Sequence, residues 1–162
     1  MAKAKSYVPE GLRSVTAHLV VKNALDSIEF YKKAFGAEVM SHAPGAGPRS
    51  TMHAAIKIGD AVLFLADEMP MAAVKAPKSV GGTTASITLF VPDADATFGK
   101  AVAAGGKVNM PVGDQFWGDR YGQVTDPDGH LWEIATHKED LTPDEIQKRA
   151  AAFMAQMAKQ TK

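Results

Sequence analysis

The chain has 162 residues, which is enough for one compact domain with a sizeable core. Its 18 basic and 18 acidic side chains cancel, so no basic field is available to hold a nucleic acid or an anionic membrane. The absence of cysteine excludes a disulfide scaffold and a thiolate metal site, and it fits a cytoplasmic protein. No apolar run approaches the ~20 residues of a membrane span, and we expect no signal peptide.

The first half of the chain predicts one βαβββ module over residues 13–66, after a polar lead-in over residues 1–12. Residues 15–21 are apolar and β-branched, which favours a strand. Asn23 is a good N-cap for a helix with an apolar stripe, and Gly36 ends that helix. Residues 37–40, 51–58 and 61–66 then read as three strands, the last two joined by a tight turn at residues 59–60.

Residues 67–83 form a linker with no period, typical of a mobile flap, and residues 84–137 predict a second βαβββ module. Its strands are expected at residues 84–91, 107–110, 121–125 and 130–136, with a helix from Asp93 to residue 104. The sequence DPDG at residues 126–129 predicts a turn. Residues 138–162 contain a C-terminal helix that opens with a capping box at Thr142 and Glu145. Its apolar stripe either covers part of a sheet or clasps a second copy of the chain.

The two modules repeat each other. Residues 23–36 are echoed 70 residues later by residues 93–106, and from residue 39 onward the offset becomes 69, which pairs Leu65 with Ile134. Two copies are too few for a solenoid, so the repeat indicates two small modules packed together. Because concave sites favour such junctions, we expect a binding site between them.

The best candidates for chemistry are a glutamate and two histidines in predicted strands. Side chains alternate along a strand, so Glu133 lies on the face opposite Trp132 and Ile134. If the apolar pair packs on helices, Glu133 faces a concave surface, as a metal ligand, a general base or a solvated residue. His18 and His53 are either ligand-binding or proton-carrying groups, or hydrogen-bonded structural residues.

The stretch QFWGDRYG at residues 115–122 is the densest polar and aromatic segment. Trp117 and Tyr121 offer flat apolar faces, and Arg120 can hold a carboxylate through two parallel hydrogen bonds. The alternative is a structural turn that plugs the rim of the sheet, with Asp119 neutralising Arg120.

Several of these segments resemble the vicinal oxygen chelate superfamily, which contains glyoxalase I, bleomycin-resistance proteins and extradiol dioxygenases. The resemblance rests on the paired modules, on IEFYKKAFG at residues 28–36, and on DPDGH followed by WEI at residues 126–134. The QFWGDRYG stretch is similar to the PhnB-like branch. The resemblance implies an α+β fold in which two βαβββ modules form a curled, eight-stranded open sheet with a C-terminal helix added, and it implies a homodimer.

The resemblance also implies positions for a divalent metal, on the first and last strand of each module. Carried onto this chain they are Thr16, Phe64, Ser86 and Glu133, of which only Glu133 is an ordinary metal ligand. We therefore expect no cofactor and no usual metal site. His18 with Glu133 is the alternative metal pair, and it requires a shift in register.

The function favoured by the sequence is binding of a small organic molecule in an apolar cup. The residues expected to contact the ligand are His18, His53, Phe64, Trp117, Arg120, Tyr121 and Glu133. The alternative is a metal-dependent lyase, isomerase or dioxygenase in which Glu133 with His18 or His53 holds a divalent ion. Whether the protein is an enzyme is left open by the sequence.

Overall fold

The computed structural model describes residues 4–160, without the side chain of Gln160. Residues 1–3 of the predicted lead-in and residues 161–162 of the predicted C-terminal helix lie outside the described part. The first unit consists of β1 (His18–Val21), α1 (Ala24–Phe35), β2 (Glu38–Pro44), β3 (Thr51–Ile58) and β4 (Ala61–Asp67). After α2 (Pro77–Val80), the second unit consists of β5 (Ser86–Phe90), α3 (Ala94–Ala103), β6 (Lys107–Asp114), β7 (Asp119–Thr125) and β8 (Leu131–His137). Helix α4 (Pro143–Gln160) follows.

The eight strands form two four-stranded sheets of identical topology. The first has the order β1-β4-β3-β2 and the second the order β5-β8-β7-β6. In each sheet the first and last strands of the unit pair in parallel, and the other neighbours pair antiparallel. The predicted α+β fold with two βαβββ modules is confirmed.

Both units begin their helix in the same way. The carboxylate of Asp67, at the end of β4, accepts a hydrogen bond from the backbone N–H of Ala24 at 2.6 Å. At the equivalent place, 69 residues later, the hydroxyl of Thr136 accepts from the backbone N–H of Ala94 at 2.8 Å. A polar side chain at the end of the last strand therefore satisfies one of the unpaired N–H groups at the start of each helix. This shared contact shows the repeat at the level of single atoms.

The core lies where one face of each sheet meets α1 and α3. Trp132 is 1% exposed, and its ring lies 4.6 Å from Phe35 and 5.3 Å from Tyr31, measured between centroids. Because Trp132 comes from the second unit and the other two rings from the first, the two units share one core. The opposite face of each sheet is open, and His18, His53, Phe64, Tyr121 and Glu133 lie there. Arg120 lies on the helix side of the second sheet, beside Asp95 of α3, and Trp117 lies in the turn before β7.

The turn predicted at residues 126–129 joins the two units. Asp128 accepts hydrogen bonds from the backbone N–H of Lys22 and from the hydroxyl of Ser27, both in the first unit. The ring of His130 bonds the carbonyl oxygen of Val20 at 3.0 Å. These contacts fix the orientation of one unit against the other.

Several boundaries differ from the predicted ones. Strand β1 begins at His18 rather than at residue 15, because its pairing with β4 ends there and Val15 is 88% exposed. Strand β6 is longer than expected and continues through two irregularities in its register. In the linker, the carboxylate of Glu68 accepts hydrogen bonds from the backbone N–H of Ala76 and the hydroxyl of Ser79. These bonds connect this part of the predicted flap to the end of β4.

Within residues 4–160, no helix is both long and apolar enough to span a membrane.

Candidate functional site

The open face of the first sheet brings together three of the predicted site residues. His18 is paired with Phe64 across β1 and β4, and His53 lies on the same face of β3. The ring centroids of His18 and His53 are 5.9 Å apart, those of His53 and Phe64 are 4.8 Å apart, and those of His18 and Phe64 are 6.1 Å apart. Side chains alternate along a strand, and the neighbours Leu65 and Ala54 are fully buried on the helix side. Phe64 and His53 therefore lie together on the opposite face of the sheet.

A cavity of about 470 Å³ lies between this face and residues 9–13, which cross over it. Its size is within the range of about 300–1,000 Å³ that is typical of small-molecule sites. Its walls come from the lead-in, from β2 and from β3 and β4, and they include Leu12, Met40, His53, Ala55, Val62 and Phe64. The charged side chains that line it, Glu10, Arg13, Lys57 and Asp60, are all exposed. The cavity therefore has an apolar floor and a charged rim.

Residues 9–13 cover the floor without a hydrogen bond to the sheet among the described residues. The segment is closed on itself by a turn in which the N–H of Leu12 donates to the carbonyl oxygen of Pro9 at 3.1 Å. Gly11 has a φ of +80° in this turn, a conformation that favours glycine. Ala55 beneath the cavity is only 7% exposed. The sequence predicted this segment only as a loosely held lead-in, and its apolar residues gave no period that would indicate where it docks.

The open face of the second sheet carries the predicted acid. Glu133 lies opposite the buried Trp132, as strand alternation predicts, and it is half-buried. The hydroxyl of Thr88 donates to its carboxylate at 2.7 Å. Burial, together with the charge of Glu133, raises the pKa of Tyr121, whose hydroxyl also accepts a hydrogen bond from Gln123 at 2.7 Å. The carboxylate thus belongs to a small polar network on an open surface.

Arg120 is engaged by two carboxylates of its own chain. Its guanidinium donates to both oxygens of Asp95, at 2.8 and 2.7 Å, and to Asp114 at 3.3 Å. The hydrogen bonds that the guanidinium donates to Asp95 raise its already high pKa. A ligand carboxylate could bind both N–H groups of Arg120 only by displacing Asp95.

The remainder of the QFWGDRYG stretch holds the C-terminal segment. The indole N–H of Trp117 donates to Asp119 at 2.9 Å, and the other oxygen of Asp119 bonds His137 at 2.7 Å. His137 also bonds Asp140 at 3.0 Å, and Asp140 and Asp119 together raise the pKa of its imidazole. The ring of Phe116 lies 5.5 Å from that of Phe153 on α4. The stretch therefore connects the second sheet to the C-terminal helix.

Thr88 is a candidate site residue that the sequence did not indicate, and its hydroxyl bonds Glu133. The repeat offset of 70 makes it the equivalent of His18, and the structure pairs it with Glu133 just as His18 is paired with Phe64. The signal was present in the repeat, but the expected positions were two residues earlier, at Thr16 and Ser86. Thr16 precedes β1, and Ser86 is paired with Leu131. The facing residues of the two units are therefore His18 with Phe64, and Thr88 with Glu133.

Two repeated βαβββ units, each with one face packed on helices and the other open, define the glyoxalase-like class of folds. Residues 12–134 match the model of the Glyoxalase/Bleomycin resistance protein/Dioxygenase superfamily. The chain belongs to this superfamily, as its resemblance implied.

Similar proteins have been found in several bacteria. Uncharacterized protein Rv0887c of Mycobacterium tuberculosis is 42% identical over 137 residues, which cover 83% of this chain and 80% of that protein. The crystal structure of TioX from Micromonospora sp. ML1 is 26% identical, with a TM-score of 0.61, and the match covers 77% of this chain and 98% of TioX. The structure of the PhnB protein from Bacillus cereus is 18% identical, with a TM-score of 0.61. The match covers 76% of this chain and 99% of that protein, and it shows the same fold.

The divalent metal that the superfamily implies does not fit the residues at the expected positions. Of these positions, Phe64 has no donor atom, Thr16 precedes β1 and Ser86 is paired with Leu131, which leaves Glu133 as the one ordinary ligand. Among residues 4–160 no three His, Cys, Asp or Glu side chains are grouped so that they could hold a metal ion. A protein-bound divalent ion usually takes at least three protein ligands, so this donor set falls short.

Proposed function

We propose that the protein binds a small organic molecule in the cavity between residues 9–13 and the open face of the first sheet, without the superfamily's usual metal site. The observation that carries the proposal is the cavity itself, with its apolar floor and the rings of His53 and Phe64 in its wall. A concave apolar surface with a few polar groups is the general form of a ligand site. The donor set described above gives the metal-dependent alternative less support.

Within this proposal the predicted ligand residues divide into two groups. His53 and Phe64 line the cavity, and His18 contacts both of their rings. The other four, Trp117, Arg120, Tyr121 and Glu133, belong to the second unit. Tyr121 and Glu133 share the open face of the second sheet, while Arg120 lies on its helix side and is bonded to Asp95. Their role in ligand binding stays a prediction, and it concerns places distinct from the cavity.

The cavity can be tested with the neutral fluorescent probe N-phenyl-1-naphthylamine. We expect a saturable rise in fluorescence with one probe bound per chain. Phe64→Ser removes an aromatic wall and should weaken binding about tenfold, since an aromatic contact contributes about 0.5–1.5 kcal/mol beyond its area. Phe153→Ser is the matched control, because Phe153 is a 41% exposed phenylalanine on α4, outside both sheets and away from the cavity. Equal weakening by both variants, or no saturable binding, would contradict the proposal.

We further propose that the protein is a homodimer, as the superfamily resemblance implies. The proposal is supported by apolar side chains that are exposed on the strands, including Phe90 (63%), Val39 (43%) and Val108 (42%). Exposed apolar surface is common where a partner binds. Sedimentation equilibrium at micromolar concentration should give twice the mass of one chain. A mass equal to that of a single chain would refute the dimer.

We also propose a cytoplasmic location, which fractionation of cells that express the chain would test.

A further inference from the structure

His18 and His53 differ from the other three histidines. The rings of His42, His130 and His137 are hydrogen-bonded to Thr51, to a backbone carbonyl and to two aspartates, respectively. Within residues 4–160, the rings of His18 and His53 make aromatic contacts with each other and with Phe64, but no hydrogen bond to the protein. Two adjacent imidazoles therefore have ring nitrogens available for a ligand.

The charges around the cavity favour a neutral partner. Partial burial and the adjacent His53 lower the pKa of His18, which favours the neutral form of its ring. A neutral imidazole has one N–H donor and one nitrogen acceptor, which matches the donor and acceptor of a hydroxyl group. The charged rim has two basic residues, Arg13 and Lys57, and two acidic residues, Glu10 and Asp60. These charges cancel, so the rim gives no preference for an anion or a cation.

The arrangement of the rings favours a flat molecule. His53 and Phe64 meet at a tilt of 58° with their centroids 4.8 Å apart, and His18 meets both edge-on. The side chains of Met40 and Val62 complete an apolar wall beside Phe64. A flat ring can pack on this wall while a substituent reaches the imidazoles.

We propose that the cavity selects neutral aromatic compounds that carry a hydroxyl group. The ring packs against Phe64, and the hydroxyl exchanges hydrogen bonds with the imidazole of His53, which lines the cavity, and with that of His18, which lies just beyond the lining with its ring centroid 5.9 Å from that of His53. This inference rests on the proposed function. A compound without the hydroxyl would cover the imidazoles and leave their nitrogens unpaired, and a site built to bond a hydroxyl rejects such analogues.

Calorimetric titration of the full chain at pH 7.5 with 2-naphthol, naphthalene and 2-naphthoate tests this selectivity. We expect 2-naphthol to bind about tenfold more tightly than naphthalene, the effect of roughly one net hydrogen bond, and more tightly than 2-naphthoate. His53→Phe and His18→Phe should reduce the ratio of the naphthol and naphthalene affinities toward one while naphthalene affinity is retained. His42→Phe, which removes a histidine bonded to Thr51, should leave the ratio unchanged.

The outcomes separate this inference from the proposed function. Equal binding of the three probes, or a ratio unaffected by His18→Phe and His53→Phe, overturns the hydroxyl preference and leaves the cavity as a ligand site. Tighter binding of 2-naphthoate overturns the inference in favour of anion recognition. Binding of none of these probes, nor of N-phenyl-1-naphthylamine, overturns the proposed function and with it the inference.

Discussion

Asp126→Ala is expected to lower the free energy of unfolding by about 3–5 kcal/mol, because it leaves several buried donors unpaired. Asp126 is 4% exposed. Its carboxylate accepts hydrogen bonds from the hydroxyl of Tyr31 at 2.6 Å, the indole N–H of Trp132 at 3.0 Å, and the backbone N–H groups of Asp128 and His130, both at 2.9 Å. Tyr31 belongs to the first unit and the other donors to the second, so the substitution affects the junction between them.

Two control variants identify the cause. Tyr31→Phe removes only one of the four hydrogen bonds and keeps the ring in the core, so its cost should be about 1–2 kcal/mol. Asp144→Ala removes an exposed aspartate in the first turn of α4 and should cost less than about 1 kcal/mol. Urea unfolding followed by tryptophan fluorescence measures all three. A loss for Asp126→Ala no greater than that for Tyr31→Phe would show that the carboxylate does not hold the junction.

Gly106→Ala and Gly99→Ala are expected to change stability in opposite directions. A Cβ at Gly106 would meet the side chain of Val124 and lie 2.8 Å from the carbonyl oxygen of Ala101, where α3 ends against the second sheet. Overpacking of this kind costs about 1–3 kcal/mol. Gly99 lies in the exposed interior of α3 with open space around it, so alanine there should stabilise the protein by about 0.5–1 kcal/mol.

Thermal unfolding of the two alanine variants gives the sign directly. Stabilisation by Gly106→Ala would contradict the close approach at residue 106, and destabilisation by Gly99→Ala would contradict the open space at residue 99. The equivalent residue of the first unit, Gly36, has a φ of +68° and no atom near an added Cβ. The repeat thus keeps glycine at both helix ends for two different physical reasons, backbone conformation in one unit and close packing in the other.

The features that depend on local pattern could be predicted from the sequence. Alternation along one strand places Glu133 away from the buried Trp132, and the helix caps follow from single polar residues such as Asn23. The repeat adds long-range information, because two copies of one module must have equivalent registers. It was sufficient to predict two βαβββ units.

Features that depend on distant partners could not be predicted. The sequence offered Asp119 as the neighbour that neutralises Arg120, but the carboxylate of Asp119 bonds Trp117 and His137 instead. Arg120 is paired with Asp95 on α3, and nothing in either local pattern links the two. The docking of residues 9–13 over the first sheet is likewise a tertiary contact made by a segment without regular structure. The strand start at His18 depends on where pairing with β4 ends, which propensity alone does not determine.

We propose that a small molecule binds on the open face of the first sheet, beneath residues 9–13. The position of binding can be measured by titrating the ¹⁵N-labelled chain with N-phenyl-1-naphthylamine and following the amide chemical shifts. We predict saturable shifts concentrated at residues 9–13 and on β3 and β4 around His53 and Phe64. Shifts confined to the second sheet around Thr88 and Glu133, or no saturable shifts at all, would contradict the claim.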